Sequence, residues 1–382
     1  MIGLLGDYIE DIYVYGTCDR ISPELPIPVF KEVKRVHKKG GSGNVHENLK
    51  AFGVEVEHLY SCNSVKTRFV VDNHIVFRSD QEKYHASKQT NFDLESDYVI
   101  LSDYNKGFLD KSEEIIKNLK DKGKFVIVDP KFNLSFYKGA DIVKLNEKEW
   151  NEYSNTRSGY AARKDFNIGT LVITRGSNSV IIFDDFGERE ITVDSHPVSD
   201  VTGAGDIFIA AMTVFLYRGD NIDEAVRKAA KLSSISVTKF GTYVLTEEDI
   251  RTVCPRVVFT NGCFDILHRG HIEYLKKSKA LGDKLIVGLN SDTSVHILKG
   301  SERPITRQED RKAILESLEC VDEVIIFDEE TPYELIKRLK PDIITKGGDY
   351  TKETVVGNDL VKEVVIIDYL NGYSTTSIIE RV

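Results

Sequence analysis

Short runs of β-branched and aliphatic residues recur at Tyr98–Leu101, Phe125–Val128, Leu171–Thr174 and Val180–Phe183, and stretches with helical apolar spacing, such as Ser112–Lys122, lie between them. This alternation predicts parallel sheets with crossover helices. The stretch from Asp11 to Lys39 differs, because Pro23, Pro26 and Pro28 forbid a long helix, and it reads as strands and loops. From Lys66 to Ser79, apolar residues flank Asp72-Asn73 in the manner of a hairpin turn. The two regions together predict a small accessory β-sheet. A second βα series opens at Val257, which places a domain boundary at 252–256 and predicts domains 1–252 and 256–382.

Composition narrows the class. With 382 residues, 41% hydrophobic and 29% charged, the chain is ordinary globular material. Its net charge of −10 disfavours nucleic acid as a partner. Five cysteines without a CxxC pair suggest neither a disulfide framework nor a zinc cluster. Acids at Asp7, Glu10 and Asp11 interrupt any leader-like apolar run, and no later apolar stretch reaches membrane-spanning length, so a soluble cytoplasmic protein with no membrane partner is expected.

Asp200-Val201-Thr202-Gly203-Ala204-Gly205-Asp206 precedes the apolar stretch Ile207–Tyr217. Small residues at a helix N-terminus let backbone N–H groups approach phosphate oxygens, an anion hole for a transferring phosphoryl group. Asp206 is then placed to accept a proton from a substrate hydroxyl. The plainer reading is a glycine-rich helix cap. The run resembles the signature of the ribokinase-like carbohydrate kinases, and Gly40-Gly41-Ser42-Gly43-Asn44 is similar to that family's first glycine motif. Gly6-Asp7 with Asp11, Arg20-Ile21-Ser22-Pro23-Glu24, Asp103-Tyr104 with Lys106-Gly107, and Asp129-Pro130-Lys131 resemble the heptose-7-phosphate kinase branch. The resemblance implies Asp206 as base and Gly203, Ala204 and Gly205 as anion hole. It places Asp7, Asp11, Arg20, Gly40, Gly41, Asn44, Asp103 and Lys106 at the sugar. Asn146, Glu149, Thr174, Gly176, Asp200 and Thr202 fall to the nucleotide and its Mg²⁺, with no direct metal ligand assigned. Before Lys66-Thr67-Arg68 the family carries a strand-helix excursion that this chain lacks.

In the second half, the run from Val257 reads as a strand, a turn Asn261-Gly262-Cys263-Phe264-Asp265, then His268-Arg269-Gly270-His271 opening a helix. Two histidines three apart share one helix face and suit a departing pyrophosphate. A capping His pair, or a metal site short of a ligand, fits the same spacing. With Lys299, Arg311, Lys346-Gly347-Gly348-Asp349 and Ser374-Thr375-Thr376, the run resembles the HxGH cytidylyltransferase-like family in its heptose-1-phosphate adenylyltransferase branch. That implies a Rossmann-like α/β domain in which His268 and His271 stabilise the transition state and Lys299 and Arg311 take phosphate charge. Asn261, Gly262, Phe264, Asp265, the Lys346–Asp349 run and Ser374–Thr376 would line the nucleotide.

The two resemblances together imply a ribokinase-like three-layer α/β domain followed by the nucleotidyltransferase domain, making ADP-heptose with ATP as co-substrate and Mg²⁺ in both reactions. The partners implied are sugar phosphates, a separate bisphosphate phosphatase, since neither half has a phosphatase-like nucleophile, and a second copy of the chain. A rival reading keeps only the nucleotidyltransferase active, with the kinase-like half a dimerisation or sugar-phosphate sensing module. Another keeps the plan with a different sugar or nucleotide.

Overall fold

The computed structural model describes residues 1–368 apart from 132, 155–156, 177–178, 194–199 and 349, with the backbone alone at 62–63. The chain divides into two compact units, Met1–Val253 and Cys254–Val382.

The first unit comprises β1 (Ile2–Ile21), β2 (Pro28–Gly41), α1 (Ser42–Ala51), β3 (Val56–Val71), β4 (His74–Gln81), β5 (Tyr98–Ser102), α2 (Ser112–Asp121), β6 (Phe125–Asp129), β7 (Ile142–Asn146), α3 (Glu147–Tyr153), α4 (Gly159–Asp165), β8 (Thr170–Thr174), β9 (Ser179–Asp184), β10 (Gly187–Thr192), α5 (Ala204–Tyr217), α6 (Ile222–Ser236) and α7 (Glu247–Arg251). Its sheet runs β10-β9-β8-β7-β6-β5-β1-β3-β4, with β2 on β1, and is parallel from β8 through β3. Leu5, Val99, Leu101 and Val128 on one face meet Ile115, Ile116 and Leu119 of α2. α5 is apolar on every side and buried from Ile207 through Phe215, as a helix enclosed by the domain must be.

The accessory sheet is not a separate layer. β1 is one 20-residue strand whose first half pairs with β5 in the core and whose second half pairs with β2 in an arm. β3 likewise runs unbroken from core to arm, where β4 returns on it through Asp72 and Asn73, both at positive φ as a tight hairpin demands. This continuous strand occupies the place where a strand-helix excursion was missed in the sequence.

The second unit holds β11 (Val257–Gly262), α8 (Arg269–Lys279), β12 (Lys284–Asn290), α9 (Asp292–Lys299), α10 (Gln308–Glu316), β13 (Glu323–Phe327), α11 (Tyr333–Leu339), β14 (Ile343–Gly347) and β15 (Glu363–Ile367). All five strands are parallel in the order β13-β12-β11-β14-β15. The order reverses direction between β11 and β14, so a crevice opens beyond their C-terminal ends, where such sheets bind ligands. Among the described residues no helix is long and apolar enough to cross a membrane.

Candidate active sites

In the first unit the site forms at the C-terminal ends of β5, β6 and β7. Gly203 caps α5 at φ 81°, and a Cβ on it would lie 2.7 Å from Asn44 Nδ2. A Cβ on Gly205 would lie 2.9 Å from Lys144 Nζ, so both glycines keep the helix start open to its neighbours. Asp206 is buried in the first turn of α5. Asn44 Nδ2 donates to its Oδ2 at 2.9 Å, and the Tyr104 hydroxyl donates to its Oδ1 at 2.5 Å. Burial pushes the Asp206 carboxyl up to about 6, held back by those two donors. Lys144 is buried and paired with Asp129 at 3.1 Å. Burial alone would lower its ammonium pKa, but Asp129 and Glu149 hold it above the ordinary value.

A cavity of about 420 Å³ adjoins this constellation, lined by Lys144, Asn146, Thr174, Gly176, Ala204 and Gly205 among others. Its size and its position at a helix N-terminus suit a nucleotide. Asp200 does not line it. Its Oδ1 accepts from the N–H and hydroxyl of Thr202 and its Oδ2 from the N–H of Gly241, tying the glycine turn to the segment after α6. Asn146 and Glu149 form a capping box for α3, and Glu149 also accepts from Lys131 at 3.1 Å.

Several residues expected at the sugar have other employment. Asp7 is fully buried and accepts the N–H groups of Tyr104, Lys106 and Phe108 at 2.9, 3.0 and 3.2 Å, so it shapes the loop after β5. Burial raises its carboxyl, with those three donors opposing. Asp103 is turned inward, accepting from Asn105 N–H and the Tyr137 hydroxyl at 2.8 Å each, and burial pushes it up to about 7. Lys106 pairs with Glu82 at 2.7 Å. Arg20 stands exposed at the outer end of the arm, opposite Val29. Asp11 does reach the cleft, packed beside Gly40 and near Thr242, but Arg68 occupies its Oδ1 at 2.5 Å. Gly41 leads into α1 and so positions Asn44. Tyr104 and Lys144 were missed. Tyr104 lay inside the Asp103–Gly107 motif, whereas nothing in the sequence around Lys144 marks it.

In the second unit the site forms at the ends of β11 and β14. Phe264 takes a positive φ of 44° as the chain turns out of β11. His268 is the N-cap of α8, its Nδ1 accepting the His271 N–H at 3.4 Å, and the two imidazoles stack with centroids 3.8 Å apart. Burial, then the neighbouring His268, lowers His271 to about 4, and burial lowers His268 too, so both rings are neutral at neutral pH. His271 Nδ1 and Asn261 Oδ1 are buried without a hydrogen-bond partner. Such orphans belong to a site awaiting a polar ligand. Lys346 donates to the Asn261 carbonyl at 3.2 Å, and burial lowers its ammonium to about 8. Burial raises the Cys263 thiol, consistent with packing over reactivity.

Two residues expected at the phosphates or the nucleotide, Arg311 and Asp265, are held by hydrogen bonds within the protein. Arg311 is fully buried, donating to the carbonyls of Thr306, Cys263 and Asn290 at 2.9, 2.6 and 2.8 Å and to Asp292 at 2.6 Å. It staples three loops together, which uses four of its five N–H donors. Asp265 is buried against Arg303 and accepts the N–H groups of Ile305 and Thr306. Lys299 is exposed at the end of α9, with Gly262 and Gly347 closing β11 and β14. Gly348 follows in the turn after β14. Asp349, Ser374, Thr375 and Thr376 lie outside the described residues.

Residues 62–249 match the pfkB family of carbohydrate kinases, and residues 259–381 match the cytidylyltransferase-like family. The first unit shares its fold with ribokinase from Thermotoga maritima (TM-score 0.52, 18% identity, 66% of this chain and 98% of that one) and with phosphofructokinase-2 from Escherichia coli (TM-score 0.55, 18% identity, 66% and 97%). Over the whole chain, the bifunctional protein HldE of Nitratiruptor sp. is 38% identical, covering 99% of this chain and 98% of its own length. The HldE proteins of Wolinella succinogenes and Helicobacter pylori J99 are 36% and 34% identical over the same share of this chain. The chain belongs to the HldE family of bifunctional proteins. Like its relatives it is an enzyme that joins a carbohydrate kinase to a nucleotidyltransferase, and its substrates are sugar phosphates and ATP. The alignment with the Nitratiruptor HldE extends over 455 positions against 382 residues here, so this member is a short one.

Proposed function

We propose that this chain makes ADP-heptose in two steps, one in each unit. The first transfers the γ-phosphoryl group of ATP to O1 of D-glycero-D-manno-heptose 7-phosphate. The second joins heptose 1-phosphate and ATP to give ADP-heptose and pyrophosphate. The observation that carries the reading is the buried Asp206, held by Asn44 and Tyr104 against an open helix start, because a base poised near pH 6 and an adjacent anion hole are what an intact kinase requires.

In the kinase step the sugar O1 hydroxyl gives its proton to Asp206 as O1 bonds to the γ-phosphorus, and the bond to the β,γ-bridging oxygen breaks to release ADP. The N-terminal amides of α5 and the Lys144 ammonium face the charge that develops on the phosphoryl oxygens. In the adenylyl step an oxygen of the sugar phosphate bonds to the α-phosphorus of ATP and pyrophosphate leaves. His268, His271 and Lys346 donate hydrogen bonds to the phosphates, and no protein nucleophile takes part.

Among the described residues no cluster of three or more His, Cys, Asp or Glu could hold a metal by itself. Mg²⁺ keeps its waters and arrives on substrate phosphates, and Asn146, which lines the cavity, with Glu149, its partner in the α3 cap, would hold it in the kinase unit. When bound it supplies neutralisation of phosphate charge. The same proposal includes a separate phosphatase that removes the 7-phosphate between the steps, a cytoplasmic setting, and a homodimer. The dimer is supported by the arm, which exposes Ile21, Ile27, Val33, Ile75 and Phe77.

End-point phosphorus NMR with Mg-ATP and heptose 7-phosphate tests the reading. The 1,7-bisphosphate is expected, with ADP-heptose once a bisphosphate phosphatase is added. ADP-heptose only from supplied heptose 1-phosphate would overturn the kinase half and favour a sensing or dimerising module.

A further inference from the structure

The arm carries a row of alternating charges across its strands. Lys38 of β2 lies opposite Asp11 of β1, Asp11 opposite Lys66 of β3, and Lys66 opposite Asp80 of β4. Directly opposed residues share a face of the sheet, and the next position along that face adds Tyr13, Arg68 and Arg78. This face turns toward the kinase site. Lys38 Nζ donates to the Thr242 carbonyl, the Thr242 side chain would be 3.5 Å from a Cβ on Gly203, and Lys66 Nζ lies 5.8 Å from the ring centroid of Tyr104, the residue that holds Asp206.

The charges on that face do not balance. Asp11 is committed to Arg68 at 2.5 Å, and Asp80 to Arg78, whose Nε donates at 2.6 Å. The nearby Lys106 is closed by Glu82. Four cations thus meet two carboxylates, and Lys66, partly buried, makes no hydrogen bond or ion pair with any described residue. Burial is the main cause that lowers its ammonium below the ordinary lysine value, with Arg78 and Lys106 adding repulsion that Asp11 and Asp80 only partly offset. A half-desolvated cation without a counter-ion costs stability, and an anionic ligand would relieve it.

We propose that Lys66 receives the phosphate group of the sugar phosphate acceptor, with Lys38, hydrogen-bonded to the Thr242 carbonyl, as the second cation of the same face. This rests on the kinase reading above and explains why the acceptor is phosphorylated. A neutral sugar leaves Lys66 uncompensated. A phosphorylated one pairs with it while its free hydroxyl lies at Asp206, at the hydroxyl end of the Tyr104 ring.

The test is titration calorimetry of heptose 7-phosphate, of unphosphorylated heptose and of ATP into the full chain and its Lys66→Met and Lys66→Arg variants. The unvaried chain is expected to prefer the phosphorylated sugar by about 10- to 100-fold, the reach of a charge-assisted hydrogen bond. Lys66→Met erases that preference without weakening ATP, and Lys66→Arg restores most of it. Adenylyl transfer and the thermal midpoint of each variant report that the chain is folded. Equal affinity of Lys66→Met and the unvaried chain for the 7-phosphate overturns the inference, as does a loss confined to ATP or an unvaried chain indifferent to the phosphate. A chain that binds the 7-phosphate through Lys66 but never phosphorylates it overturns the kinase reading alone.

Discussion

Tyr104 and Asp206 are 102 residues apart, yet the hydroxyl of one donates to the carboxylate of the other at 2.5 Å inside the first unit. That bond favours the ionised carboxylate against the burial that raises it. In Tyr104→Phe the donor is gone, so the Asp206 pKa climbs and the acid limb of the kinase profile, expected near pH 6, moves up by about one pH unit. A kcat/KM profile between pH 5 and 9 measures this. An unmoved limb would mean that another group sets it.

Asp206→Asn separates function from stability. Kinase turnover should fall on the order of 10³-fold while adenylyl transfer is unchanged. The folded-state pKa of Asp206, about 6, lies above the ordinary 3.8. Its contribution to stability is therefore full below the ordinary value and is lost as pH rises through about 6. The asparagine variant has no such loss, so relative to the unvaried chain it gains thermal midpoint between pH 4.5 and 7.5. Melts at the two pH values check the sign, and a gap that narrows as pH rises would contradict it.

The stacked histidines serve different needs. His268 caps α8 as well as facing the crevice, whereas His271 does not cap. His268→Ala should lose about 1 kcal/mol of stability through the cap, and His268→Asn should keep it. Both, and His271→Ala, should lower the adenylyl kcat by about 10²- to 10³-fold. Denaturant unfolding beside kinetics separates cap from chemistry. Full activity in His268→Asn would leave the cap as its whole role.

Arg311→Ala should destabilise the second unit by about 3 kcal/mol, the scale for breaking a buried charged network, with kinase activity retained. Urea unfolding and both activities on one preparation measure it. A variant as stable as the unvaried chain but with ATP affinity lost would return Arg311 to the phosphates and refute the clamp.

The local motifs were legible because their physics is local. The Asp72-Asn73 hairpin, the all-apolar α5 behind its glycine turn, and the His268 and His271 pair each depend on residues a few positions apart, and all stand in the structure as their spacing implies. The partners of buried polar groups were less legible. Asp7, Asp103 and Arg311 carry the residue types of a ligand site but spend their hydrogen bonds on the protein, because the backbone groups they meet come from distant loops.

By itself, then, the sequence determined the α/β architecture, the two-part plan and the placing of Asp206 and His268 at helix starts, since periodicity, glycine placement and helix starts are written in consecutive residues. Tertiary structure alone decided that β1 and β3 continue into the arm, that Tyr104 and Asn44 converge on Asp206, and that Lys66 is left without a counter-ion. A hydrogen bond or an ion pair is settled by which chains pack side by side, and residues a hundred positions apart carry no record of that in either neighbourhood.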